Sequence, residues 1–147
     1  YFVQHADKTT WDNLVVVTLT EFGRTTIQNA NNGTDHAEAG VMFVAGGKVK
    51  GFNTPSRLSG VIAGRPDDSV GWVPGPSGSM FGVAGRYLSR AVDFRSVLGE
   101  IIREHLGASQ TQLDHIIPGY GDPNESLLDQ GTSTIDSTPI MGEVDVV

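Results

Sequence analysis

The sequence predicts an α/β domain, and three observations carry that expectation. Residues 14–19 (LVVVTL) and 41–45 (VMFVA) are short apolar runs without alternation, the character of strands covered on both faces in a parallel or mixed sheet. Residues 91–106 place Phe94, Val97, Leu98, Ile101, Ile102 and His105 on one helical stripe, an amphipathic helix whose Leu98, Ile101 and Ile102 face should pack on the sheet. The 19 glycines in 147 residues demand many tight turns and loops, unlike a helical bundle.

Taken in order, residues 1–13 read as the end of a preceding element, with Asp12-Asn13 turning into the first strand. The polar insert between the apolar runs contains Asn32-Gly33, a strong turn signal. Gly46-Gly47 ends the second strand, and Lys48-Val49-Lys50-Gly51 predicts a tight turn with a short edge strand. Residues 52–87, rich in Gly, Pro and Ser, read as a long ordered loop over the body. Asp93 is placed to cap the helix and Gly107 stands where a C′ glycine is expected. Residues 114–120 (DHIIPGY) read as one short packed segment, and residues 121–147 as an extended surface tail with one helical turn at 125–129.

The net charge of −7 is unevenly placed. Residues 1–109 balance ten basic against ten acidic side chains, whereas residues 110–147 hold seven acids and no Lys or Arg. The expected organisation is a domain over 1–109 followed by an acidic, mostly irregular tail over 110–147. A neutral body with an acidic tail offers no footprint for nucleic acid or for an anionic membrane surface. No apolar run approaches the roughly 18 residues of a membrane span. The absence of cysteine excludes disulfides, thiolate metal sites and a Cys nucleophile. A start at Tyr1 rather than Met reads as a fragment or a processed product.

The chemistry-bearing residues gather in the insert: Glu21, Arg24, Asp35 and His36. In open α/β sheets, ligands collect outside the carboxyl ends of strands, where Thr20, Glu21 and Arg24 would sit. An adjacent carboxylate and imidazole suit a hard or borderline divalent metal, and Glu21 can add an oxygen. Arg24 presents a planar fork of donors suited to a phosphate or sulfate oxyanion. The same residues also read as a turn with a hydrogen-bonded His36 and a structural Glu21–Arg24 ion pair.

TLTEFGRT at 18–25, GTDHAEAGVMFVAGGKVKG at 33–51 and VDFRSVLGEIIREHLG at 92–107 resemble one bacterial family. They look like the C-terminal part of the sulfatase-like, alkaline-phosphatase-like proteins grouped as domain of unknown function 1501, over residues 11–107. The resemblance implies the C-terminal part of an alkaline-phosphatase/sulfatase-like sheet flanked by helices, with a long Gly/Pro-rich loop and the acidic tail. It implies a site holding one or two metals, with the Ser or Thr nucleophile and first Asp ligand in the N-terminal half. By that analogy Glu21, Asp35 and His36 stand where late strands deliver metal ligands, and Arg24 is the catalytic oxyanion contact. Two departures reduce the imidazole count: Glu21-Phe22-Gly23-Arg24 replaces an Asp-His pair, and Ala37-Glu38-Ala39 replaces a Gly- and His-rich run.

The resulting expectation is a fragment of an exported, periplasmic or extracellular, metal-dependent hydrolase acting on small anionic phosphate or sulfate esters. Its cofactor would be a divalent metal (zinc, manganese or calcium). Its partner would be the missing N-terminal half or another copy of the chain. The alternative is a non-catalytic exported binding or assembly module on a retained hydrolase fold.

Overall fold

The computed structural model describes residues 8–50, 88, 92–129, 131–132, 139–140 and 142–147. The expected long loop at 52–87 therefore lies outside the described residues. A short helix, α1 (Lys8–Asp12), is closed by Asn13, whose N–H donates to Thr9 O at 3.2 Å and whose side-chain amide reaches the same carbonyl at 2.9 Å. The chain then enters β1 (Val15–Val17), as the Asp12-Asn13 turn predicted.

β1 pairs antiparallel with β4 (Val44–Gly46), Val16 lying opposite Ala45 and Val17 opposite Val44. Thr18 N–H extends the ladder to Phe43 O at 2.9 Å. An antiparallel pair of this kind is compatible with a mixed sheet. The insert contains no crossover element among the described residues, and a chain that turns straight back pairs antiparallel. The inner face, with Val15, Val17, Met42 and Val44, packs on Val97, Ile101, Val144 and Val146. The other face is not covered among the described residues: Phe43 is 67% exposed and Val16 49%. Among the described residues, one face of this pair is packed and partly buried.

The helix α2 (Phe94–Glu100) starts where the sequence predicts, with the Asp93 carboxylate accepting the Arg95 N–H at 2.8 Å. Arg95 also forks onto Asp93 and reaches Glu125, tying the cap to residues 30 positions later. From Ile101 to His105 the helix widens into a π-type turn, Leu106 N–H reaching back five residues to Ile101 O at 3.2 Å. A π turn inserts one residue and rotates whatever follows, so a regular 3.6-residue stripe does not persist through it. Val97 and Ile101 are in the core, and Leu106, after the π turn, is exposed; Phe94, in the first turn of α2, is exposed as well. Gly107 closes the helix at φ 74°, the left-handed C′ position that glycine adopts without cost.

Within residues 110–147 the described elements are one helix and two short strands, and several side chains of the irregular stretches pack into the body. Helix α3 (Gln110–Ile116) has a full capping box between Ser109 and Gln112. Leu113, Tyr120 and Leu127 form a second core cluster, flanked by Ile102, Ile117 and Leu128. Two-residue strands β5 (Gly131–Thr132) and β6 (Pro139–Ile140) pair antiparallel. Tyr120 lies against Gly99, where a Cβ would overlap its ring. Tail acids neutralise cations of the body: Glu125 pairs with Arg95, Glu143 with Arg103 and Asp145 with Lys50.

The last six residues return to the first core through one side chain. Glu100 is 2% exposed, and its two carboxylate oxygens accept four consecutive backbone N–H groups. Oε2 takes those of Val144 (2.9 Å) and Asp145 (3.0 Å); Oε1 takes those of Val146 and Val147, the latter at 3.2 Å. Asp145 has a left-handed φ of 59°, and runs containing such a residue turn successive N–H groups toward one anion. No helix among the described residues is long and apolar enough to cross a membrane.

Glu100→Gln keeps the shape but places an amide NH2 among four N–H donors. Because buried donors are then left unsatisfied, stability should fall by ~2–4 kcal/mol. A urea midpoint within experimental scatter of wild type would contradict the role assigned to Glu100. Gly99→Ala should cost ~1–3 kcal/mol through displacement of the Tyr120 ring, read in the same titration.

Candidate functional site

The polar insert folds as a second, smaller hairpin. Strand β2 (Gly23–Arg24) pairs antiparallel with β3 (His36–Ala37), Arg24 lying opposite His36. Residues directly opposite on an antiparallel pair share a face. Thr25 N–H donates to Asp35 O at 3.0 Å and Asp35 N–H to Thr25 Oγ1 at 3.0 Å, extending the pairing into the loop.

The loop is organised by Asn29. Its side-chain oxygen accepts the N–H groups of Asn31 and Gly33, both at 3.0 Å. Its backbone N–H donates to Gly33 O at 2.8 Å, and Asn32 takes a left-handed φ of 61°. The Asn32-Gly33 turn is therefore present, with the strained position occupied by asparagine, which tolerates it.

On the Arg24/His36 face, the His36 ring stacks on Phe22 at 4.0 Å between centroids and 27° between planes. The Arg24 guanidinium sits over the same Phe22 ring at 5.1 Å, and its Nη1 donates to Thr34 O at 3.0 Å. Asp35 is turned elsewhere: its Oδ1 accepts the Asn29 side-chain amide at 2.8 Å. Neighbouring positions on a strand project to opposite sides, which explains why the sequence neighbours Asp35 and His36 do not converge. Glu21 is exposed at the bend before Phe22. It forms no ion pair with Arg24 among the described residues.

The structure thus joins Arg24 to His36 through Phe22, and separates Asp35 from His36. The oxygen and nitrogen donors of Glu21, Asp35 and His36 suit a divalent ion in kind. In number they fall short: among the described residues no three His, Asp or Glu side chains stand together as a metal-holding group.

A polar cluster that the sequence reading missed lies on the other side of α2. The Tyr120 hydroxyl is 2.8 Å from Glu143 Oε1 and 3.1 Å from Ser96 O, its one proton shared between two acceptors. Arg103 pairs with Glu143 and Glu104. Its hydrogen bonds to the Glu143 carboxylate raise the Arg103 pKa above its ordinary value. Burial, then the bond to Glu143, pushes the Tyr120 phenol up as well. The available signal was the concentration of acids in residues 110–147, three of which pair with cations of the body.

Residues 6–60 match the family described as "Protein of unknown function (DUF1501)", a span that includes Glu21, Arg24, Asp35 and His36. No curated protein matches the chain, and no solved structure does either.

The fold holds Tyr120 as the neutral phenol, with a pKa raised above the unfolded value near 10. Its contribution is fully present below about pH 10 and is lost as pH rises above that. Wild type should therefore lose stability through pH 10–11 faster than Tyr120→Phe, measured as urea midpoint against pH. Parallel profiles would contradict this.

Proposed function

We propose, on the premise of the DUF1501 grouping, that this chain supplies one edge of an anionic-ester site in an exported hydrolase-like protein. The fold behind that site is the C-terminal part of an alkaline-phosphatase/sulfatase-like sheet. The observation that carries the reading is the β2–β3 register, which presents Arg24 and His36 on one exposed face. A guanidinium there can meet a phosphate or sulfate oxyanion with two parallel N–H donors, one of its nitrogens being held by Thr34. Glu21, Asp35 and His36 are the donors this edge offers to a divalent ion, zinc, manganese or calcium. Such an ion, when bound, would lower the pKa of a coordinated water and polarise the ester. The remaining ligands and the nucleophile come from outside the described residues.

A second reading has its own support. Arg24, Asp35 and His36 already have structural partners in Thr34, Asn29 and Phe22. On that reading the hairpin is a binding or assembly element retained on a hydrolase fold.

The two readings part on the full-length protein assayed with zinc or manganese and with aryl phosphate and aryl sulfate esters. The hydrolase reading predicts metal bound in simple stoichiometry, its loss in His36→Ala, and a fall in kcat/KM of ~100-fold in Arg24→Ala. Absence of both metal and turnover in the wild-type full-length protein would contradict it. The binding-module reading then predicts that His36→Ala costs only ~1 kcal/mol of stability, the stacking contribution.

A further inference from the structure

Of the asparagines in the chain, Asn32 alone precedes a glycine. That dipeptide is chemically labile: the backbone nitrogen of the second residue can attack the side-chain amide carbon of the first, and glycine has no Cβ to obstruct the approach. Both residues are exposed, so water and base reach them. Yet the loop ties up each participant. The Gly33 N–H, which must lose its proton before the nitrogen attacks, donates to Asn29 Oδ1 at 3.0 Å. Asn32 N–H donates to Asn29 O at 3.1 Å and Asn29 N–H to Gly33 O at 2.8 Å, so one residue fixes the backbone around the reacting pair. The Asn32 side-chain oxygen accepts from Gln28 Nε2 at 3.4 Å. Asn29 is itself held, its Oδ1 taking a second N–H from Asn31 and its Nδ2 donating to Asp35 Oδ1 at 2.8 Å. These partners assign which atom of the Asn29 amide is the oxygen.

We propose that Asn32 is a site of spontaneous covalent modification, and that Asn29 is the positioning residue that sets its rate. In the first step Gly33 N bonds to Asn32 Cγ and the bond from Cγ to the amide nitrogen breaks. Ammonia leaves, made of that amide nitrogen with its two hydrogens and the proton lost from Gly33. Water then opens the cyclic imide at either carbonyl, giving aspartate or isoaspartate; nothing is oxidised or reduced. Either product adds a negative charge to the loop, and isoaspartate also lengthens its backbone. Both changes fall close to Thr34, whose carbonyl holds Arg24. The proposal is independent of any ester or metal at the Arg24 and His36 face.

The test incubates the full chain in mildly alkaline buffer over days. Trypsin then releases residues 25–48 as one peptide, and mass spectrometry locates the change from amide to acid within it. Asn29→Ala should convert at Asn32 about tenfold faster than wild type, the factor expected from losing the side-chain bonds to Gly33 and Asn31. Asn29→Asp combined with Asp35→Asn exchanges carboxylate and amide across the same contact and keeps an acceptor for Gly33 N–H. That double variant should restore the slow rate at position 32. Gly99→Ala, which loosens packing away from the loop, should convert as slowly as wild type. Wild type converting as fast as Asn29→Ala overturns the proposal. So does a double variant, or a Gly99→Ala protein, that converts as fast as Asn29→Ala.

Discussion

The structure depends on a buried carboxylate meeting four backbone N–H groups. An unpaired Glu100 at that depth would be strongly unfavourable, and four unpaired amides would be nearly as costly together. Each satisfies the other, so the helix and the closing segment are stable in this form only as a pair. The consequences spread outward. Val144 and Val146 complete the first core, Glu143 brings Arg103 and Tyr120 together, and Tyr120 joins that cluster to the second core of Leu113 and Leu127. A helix that the sequence presents as amphipathic thus works on three sides, one of them charged.

What could be read from the sequence was the local chemistry of chain reversal and helix ends. Asp93, Gly107, Asn32-Gly33 and Gly46-Gly47 each act within a few residues, and each is where the residue type places it. Long-range pairing could not be read in the same way. The valine runs announce strands but not their direction, and the outward exposure of Val16 and Phe43 depends on what lies across the sheet. Phe94 fits a helical stripe by spacing, yet it is exposed, and the burial of Ser96, Gly99 and Glu100 places a packed face elsewhere. The acids of residues 110–147 look like a solvated tail, yet three of them, Glu125, Glu143 and Asp145, pair with Arg95, Arg103 and Lys50.

The candidate site illustrates the same limit at shorter range. Sequence adjacency suggested that Asp35 and His36 act together, but a strand sends neighbours to opposite sides. Register, rather than adjacency, selects the companion of His36, and that companion is Arg24. The Phe22 ring between them fixes the spacing of two cationic or cation-capable groups on an exposed face. An exposed guanidinium beside an imidazole is an arrangement suited in kind to an anion.

The most direct measurement of the central interaction is amide hydrogen exchange, residue by residue, in wild type and in Glu100→Gln. The carboxylate clamp predicts that the N–H groups of Val144, Asp145, Val146 and Val147 are protected together in wild type. In the variant all four should lose protection, while the α3 amides, away from Glu100, retain theirs. Rapid exchange of these four amides in the wild-type protein, like that of an unstructured chain end, would contradict the account.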